Sequence, residues 1–270
     1  MRVRITFRVK NKGAAIPFHH QYLISQIVKG LIASSGVAEF TNYPYYSFSS
    51  LKGQTRVSKQ GLHYQSSRVT IVLTSPSDEF IQFVLGRIFD QSQIEISTLA
   101  IIPELVHQEM QMELEEEQKL ICLSPLVIAK ATLGSQEGTQ FVNPVSDEFS
   151  DMLYESTLQR MEEAGIDVDA IPNIDKFQVV PDMKYFEKMK ASQKRIAWVY
   201  PVFDQEIRHE IRGYTFPFTL YAPKEVQQFL FSCGMGQYTQ KGFGLLDVAN
   251  ADQSRVIVEH PIRVRELMAS

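Results

Sequence analysis

The chain has 270 residues, and 27 Lys and Arg against 31 Asp and Glu leave a formal net charge of −4. At roughly 150 residues per domain this length fits two domains or one large one. A hydrophobic share of 44% excludes a largely disordered protein, and 14 Gly with 12 Pro exclude a collagenous or low-complexity one.

Cys122 and Cys233 lie far apart and neither belongs to a Cys-x-x-Cys pair, which argues against a disulfide framework and against a cysteine zinc site. They read as buried apolar residues in a reducing compartment. Arg2, Arg4 and Arg8 break up the apolar character that a signal peptide needs. The longest apolar stretch, around 120–129, is far short of a membrane span. The expected location is the cytoplasm, with no membrane partner.

Across 2–10, Val3, Ile5, Phe7 and Val9 alternate with Arg2, Arg4, Thr6, Arg8 and Lys10, the period of a half-buried strand with a basic outer face. Pro17 opens a helical run carrying Leu23, Ile24, Ile27, Leu31 and Ile32, which Ser34-Ser35-Gly36 ends. Segments 45–51 and 62–64 read as short strands around a polar turn, and 68–74 as a strand rich in β-branched residues. Ser75-Pro76-Ser77 caps a helix whose apolar face is Phe80, Ile81, Phe83, Val84 and Ile88. A further strand spans 94–102. With 45–64 counted as one irregular strand, the order is β-α-β-β-α-β, the split-βαβ or ferredoxin-like unit.

The same order recurs further on. Residues 120–131 form an apolar strand broken by Pro125, and 146–164 a helix with Phe149, Met152, Leu153, Leu158 and Met161. Segments 196–203 and 206–221 read as two strands, 224–233 as a short helix and 244–248 as a closing strand. The expected class is therefore α+β with two tandem ferredoxin-like domains, 1–108 and 109–250, and a tail at 251–270. Glu113 to Glu117, four glutamates around Leu114, reads as a solvated acidic connector or an outer strand face that repels polyanions. The tail carries a short Val256-Ile257-Val258 run.

Between the last helix and last strand lies Gly234-Met235-Gly236-Gln237-Tyr238-Thr239-Gln240-Lys241-Gly242-Phe243-Gly244. It is not a dinucleotide fingerprint, because Thr239 stands where the third glycine belongs and a helix precedes it. Paired glycines permit positive φ and close backbone approach, and free amides there can meet phosphate oxygens. The plainer reading is a tight helix-to-strand connection.

This segment resembles the GhGxxxxxGhG loop (h hydrophobic) of the RAMP superfamily of CRISPR-associated proteins. The chain resembles that superfamily's repeat-RNA processing endoribonucleases over roughly residues 1–250. His20-Gln21-Tyr22 at the first helix, Leu123-Ser124-Pro125, and Ile211-Arg212-Gly213-Tyr214 also fit. The resemblance implies metal-independent, cofactor-free cleavage of precursor CRISPR RNA within its repeats, by attack of a ribose 2′-OH on the adjacent phosphate. Such a reaction needs a base, an acid and a cation on the developing charge. Its implied partners are repeat RNA, a CRISPR effector complex and a second copy of the chain.

The family usually places a histidine shortly after the first helix and a tyrosine or lysine within it. Here Thr41 stands near the expected histidine, and Lys29 near the helix position. Candidate catalytic residues are Lys29 and Lys52, as phosphate-holding cations or acids, and Tyr43 and His20 as proton-transfer groups. His19 and His20 also suit capping or packing at the helix start, and Lys29 and Lys52 a solvated surface. Tyr43, Tyr45 and Tyr46 suit the sheet. For RNA binding the candidates are Lys184, Lys188, Lys190, Lys194, Arg195, Arg208 and Arg212, with Gly234, Gly236, Lys241, Gly242 and Gly244 of the loop. Lys52, Arg56, Lys59 and Arg68 form a second basic set. In the family the repeat RNA lies in the cleft between the domains and on the glycine loop. The alternative is a protein that binds repeat RNA with little or no cleavage, since the usual histidine is missing. An unrelated ferredoxin-like enzyme or interaction module is the third reading.

Overall fold

In a computed structural model the described residues are 1–34, 36–131, 139–204 and 207–249; the side chains of 130–131, 139–140, 202–204 and 207–209 lie outside the description. They form two compact units, one of Met1–Gln111 with Gln240–Gly242, the other of Met112–Thr239 with 243–249.

The first unit is built around β1 (Arg2–Val9), followed by β2 (Ala15–Ile16), α1 (Gln21–Ala33) and the short α2 (Ala38–Thr41). β3 (Ser47–Phe48), β4 (Thr55–Ser58), β5 (Gly61–Tyr64) and β6 (Arg68–Thr74) come next, then α3 (Asp78–Phe89), β7 (Ile94–Ile96) and β8 (Leu99–Gln108). Five strands make one antiparallel sheet in the order β3-β6-β1-β8-β7. The alternation read from β1 holds on its apolar side, where Val3, Ile5, Phe7 and Val9 are all buried. On the other side Arg2 is only 8% exposed, and its Nε donates to Glu109 at 2.7 Å, a carboxylate that Arg4 also reaches at 2.6 Å. The basic outer face is thus partly offset at that end. Arg68 is likewise held by both oxygens of Glu104. α3 follows the expected form: the Ser77 hydroxyl accepts from the Phe80 amide at 3.0 Å, and Phe80, Ile81, Val84, Leu85 and Ile88 are buried.

Two expected segments differ in this unit. The strand 94–102 is a hairpin, because Ser97 at φ 55 turns β7 back into β8. The irregular strand 45–64 is two things: β3 with its continuation to Lys52 runs along β6, while β4 and β5 join β2 in a separate three-stranded sheet.

The second unit contains β9 (Glu117–Cys122), β10 (Ala129–Ala131), β11 (Thr139–Phe141), α4 (Asp147–Glu163), β12 (Gln178–Pro181) and α5 (Met183–Ala191). β13 (Ala197–Asp204), β14 (Ile207–Tyr214), β15 (Pro217–Tyr221), α6 (Lys224–Cys233) and β16 (Leu246–Val248) complete it. Its main sheet is antiparallel in the order β12-β15-β9-β16. Phe149 and Leu153 of α4 and Leu230 of α6 are fully buried in this unit. The segment 196–203 is not the second strand of the sheet. It pairs with the first half of 206–221 as a separate hairpin, β13–β14, and only the second half, β15, enters the sheet. The break falls at Thr215-Phe216, just before Pro217, which has no amide to continue the β14 ladder. The strand that fills the place is β12, four residues ending in Pro181 and too short to show an alternation.

Candidate functional site

In the first unit, Pro17 to His20 forms a tight turn that leads into α1. His20 is 6% exposed, and burial, with a contribution from the nearby Lys52 charge, lowers its pKa to about 4. Its Nδ1 lies 3.2 Å from the Pro17 carbonyl. A carbonyl only accepts, so Nδ1 carries the proton of the neutral ring and Nε2 keeps a lone pair. That Nε2 is buried with no hydrogen-bond partner. Beside it, the Gln21 amide donates to the carbonyls of Phe48 and Gly242 and leaves its own Oε1 unsatisfied.

Lys52 is fixed by its backbone. Its amide donates to the Thr70 carbonyl at 2.8 Å and its carbonyl accepts from the Thr70 amide at 2.9 Å. Gly53 follows where an added Cβ would crowd Ser66 and Val69. The residue is exposed, while desolvation of its ammonium lowers its pKa. The Lys52 charge is thus felt at the His20 ring, and a cation and a neutral imidazole are the group types that charge stabilisation and proton transfer require.

The other catalytic candidates sit elsewhere. Lys29 is exposed on α1, nine residues and roughly 14 Å along the helix axis from His20. The Tyr43 hydroxyl shares a hydrogen bond with Ser75 Oγ at 3.2 Å, and its ring packs on Phe80 at 4.7 Å. Ser75 lies five residues beyond Thr70, roughly 17 Å along the strand direction from the register of Lys52. Thr41 is exposed and its hydroxyl donates to the Val37 carbonyl.

In the second unit the lysine run is a surface feature. Lys184, Lys188, Lys190, Lys194 and Arg195 are all exposed, on α5 and the turn after it. The Arg195 guanidinium stands 6.0 Å over the ring of Trp198, itself 42% exposed. Arg212 is exposed on β14 and stacks over Phe141 at 5.4 Å. Arg208 falls on β14, and its side chain lies outside the described residues.

The glycine loop is held from within. Gly234, Gly236, Gly242 and Gly244 all have φ between 70 and 82°, which explains why each is glycine. The amides of Met235, Gln237 and Gly244 are spent on the carbonyls of Gly244, Val127 and Pro125. Lys241 is only 7% exposed and is engaged where it lies. One residue that sequence reasoning missed organises the loop. Arg160, in the last turn of α4, donates to the carbonyls of Cys233, Gly234 and Gly236 and to Thr239 Oγ1 at 2.8–3.3 Å. It also stacks on Phe229. No local pattern marks a lone helix arginine for this role.

The family model for the C-terminal part of CRISPR-associated protein Cas6 matches residues 107–248. The chain belongs to the Cas6 family. The match contains α5, the β13–β14 hairpin, Arg160 and the glycine loop; His20 and Lys52 precede it. Among relatives, CRISPR-associated endoribonuclease Cas6 1 of Methanocaldococcus jannaschii is 20% identical, over 91% of this chain and 92% of its own length. A putative CRISPR-associated endoribonuclease-like protein Cas6 of Pyrococcus furiosus is 23% identical, over 92% and 98%. Two solved structures share the mixed α+β fold. The structure of a Cas6-related gene product from Pyrococcus furiosus has a TM-score of 0.78 at 20% identity, covering 93% of this chain and 98% of its own. A structure titled "An RAMP protein binding different RNA substrates" has 0.76 at 18%, covering 92% and 99%.

Proposed function

We propose that this Cas6-family chain binds CRISPR repeat RNA and cleaves the precursor within its repeats without a metal ion. The observation that carries the reading is the buried, neutral His20 imidazole, whose Nε2 has no partner and whose ring feels the Lys52 charge. The Lys52 ammonium holds the scissile phosphate, stabilises the phosphorane and gives a proton to the departing 5′-oxygen. The His20 Nε2 lone pair takes the proton of the ribose 2′-OH as that oxygen bonds to phosphorus, and a 2′,3′-cyclic phosphate and a 5′-hydroxyl result. Nε2 is covered in the free protein, so the turn carrying the exposed Phe18 and His19 shifts as RNA docks. RNA contacts beyond the cut come from Lys184, Lys188, Lys190, Lys194, Arg195 and Arg212.

The same reading takes both units as ferredoxin-like domains in tandem, 1–108 and 109–250. In each sheet the strands of the β-α-β-β-α-β series stand in the order fourth, first, third, second, with β7 added at one edge in the first unit. An RNA-binding protein that does not cut is the second reading, and Thr41 favours it, because a hydroxyl tied to Val37 cannot titrate near neutrality.

Repeat RNA incubated with the protein in EDTA, beside a copy with one 2′-deoxy at the cut site, separates the two. Cleavage of the first alone supports the nuclease. Binding of both with cleavage of neither leaves the RNA-binding reading.

A further inference from the structure

The second unit carries a cavity of about 760 Å³ whose character is opposite to that of an RNA site. Its floor is apolar: Val145, Phe177, Val179, Pro181, Tyr221 and Pro223. Val145 is 44% exposed and Tyr221 36%. Its lining is also acidic, with Glu116, Glu117, Asp147, Asp151 and Asp175 against Lys176 as its one cation among the described residues. Among the described residues, Glu117, Asp147, Asp151 and Asp175 make no ion pair or side-chain hydrogen bond. Unpaired carboxylates around exposed apolar surface repel a polyanion and attract a cation that also brings apolar side chains.

The groove runs beside β12, the edge strand of its sheet, which narrows how a partner enters. β12 pairs with β15 on one side. On the other, the Val179 amide is already given to Ser150 Oγ at 2.9 Å, and Pro181 has no amide to give. The outward donors that a new strand would need are therefore missing, and recognition falls to side chains.

We propose that this groove docks a short segment of a partner protein in which lysines or arginines alternate with aliphatic residues. The aliphatic side chains cover Val145 and Tyr221, and the cations meet Asp147, Asp151 and Asp175. The assignment does not depend on whether the chain cleaves RNA.

The test uses the full chain and three short fluorescent peptides: alternating lysine–leucine, alternating glutamate–leucine, and lysine alone. Fluorescence anisotropy should register binding of lysine–leucine and weaker binding of lysine alone, with none of glutamate–leucine. The double variant Asp147→Lys, Asp151→Lys should weaken the lysine–leucine peptide by about tenfold or more, with RNA affinity retained and the far-UV circular dichroism unchanged. Should that variant fold poorly, Asp175→Lys in the loop before β12 reads out the same weakening. Equal binding of lysine–leucine and lysine alone would mean a merely solvated acidic face, and undiminished binding by the variants would mean a different site. Either result overturns the proposal, as does a failure of the wild type to bind.

Discussion

At the residue scale, His20 combines burial, a neutral ring and an unpaired nitrogen. The folded protein holds its pKa at about 4, below the ordinary 6.5. Its stabilising contribution is therefore complete above the ordinary value and disappears as pH falls from 6.5 toward 4, because the buried ring must then take up charge. The difference corresponds to about 3 kcal/mol. Thermal melts of the wild type between pH 7 and pH 4 should lose correspondingly more stability than those of His20→Gln, which has no imidazole to charge. If cleavage is as proposed, the rate should rise through about pH 4 as Nε2 loses its proton. It should fall on the alkaline side at a lower pH than an unperturbed lysine would give, because desolvation lowers the Lys52 pKa. A Lys52→Ala variant should lose cleavage by about a hundredfold or more in single-turnover assays, with Lys29→Ala close to wild type. Both residues of the pair were visible in the sequence as candidates. Their proximity was not, because it arises from a turn at Pro17 meeting an edge strand thirty-odd residues away. Lys29 and Tyr43 were equally plausible by type and stand apart in space. A lysine's chemistry is written in its side chain, and its neighbours are written in the fold.

Elements tell a different story about legibility. β1, α1, α3, α4 and α6 were clear because their apolar periods run for several turns or alternations, and α3 also carries an explicit cap in Ser77. β12 was hidden by its brevity, and the β7–β8 hairpin by a non-glycine residue, Ser97, at positive φ. The glycine loop was legible as a motif, yet its amides are turned inward, and Arg160 gathers its carbonyls from another helix. This makes the loop's glycines sensitive to shape. A Cβ at Gly244 runs into the Met235 carbonyl, whereas Gly13, also at positive φ, has open space around it. Gly244→Ala should therefore cost about 2 kcal/mol or more in chemical denaturation and Gly13→Ala about 1 kcal/mol. α5 offers a separate test. Replacing Lys184, Lys188, Lys190 and Lys194 with Gln should reduce the slope of log affinity against log salt by about one for each lysine that meets a phosphate. An unchanged slope in filter binding would remove α5 from the RNA surface.

For the whole molecule, net charge was a poor guide and its distribution a better one. The formal −4 hides exposed lysines and an arginine on α5 and the turn after it, and an acidic lining to the groove beside β12. Some of the basic residues counted from sequence are internally matched: Glu109 answers Arg2 and Arg4, and Glu104 answers Arg68. Among the described residues no helix is long and apolar enough to cross a membrane. Both cysteines are buried thiols, with burial pushing Cys122 up to about 11 and Cys233 up to about 12, so neither is an effective nucleophile near neutral pH.

The place of β1 in its sheet also governs how the chain is born. The earliest-made strand of this unit sits in the middle of its sheet, where Arg4 pairs with Val72 on one side and with His107 on the other. Until both partners have been synthesised, Val3, Ile5, Phe7 and Val9 have no complete ladder to shelter in. Nascent chains ending before β8 should remain protease-sensitive, and those extending past Gln108 should acquire resistance. For most of the synthesis of its first unit, this protein must keep its own central strand from finding a stranger.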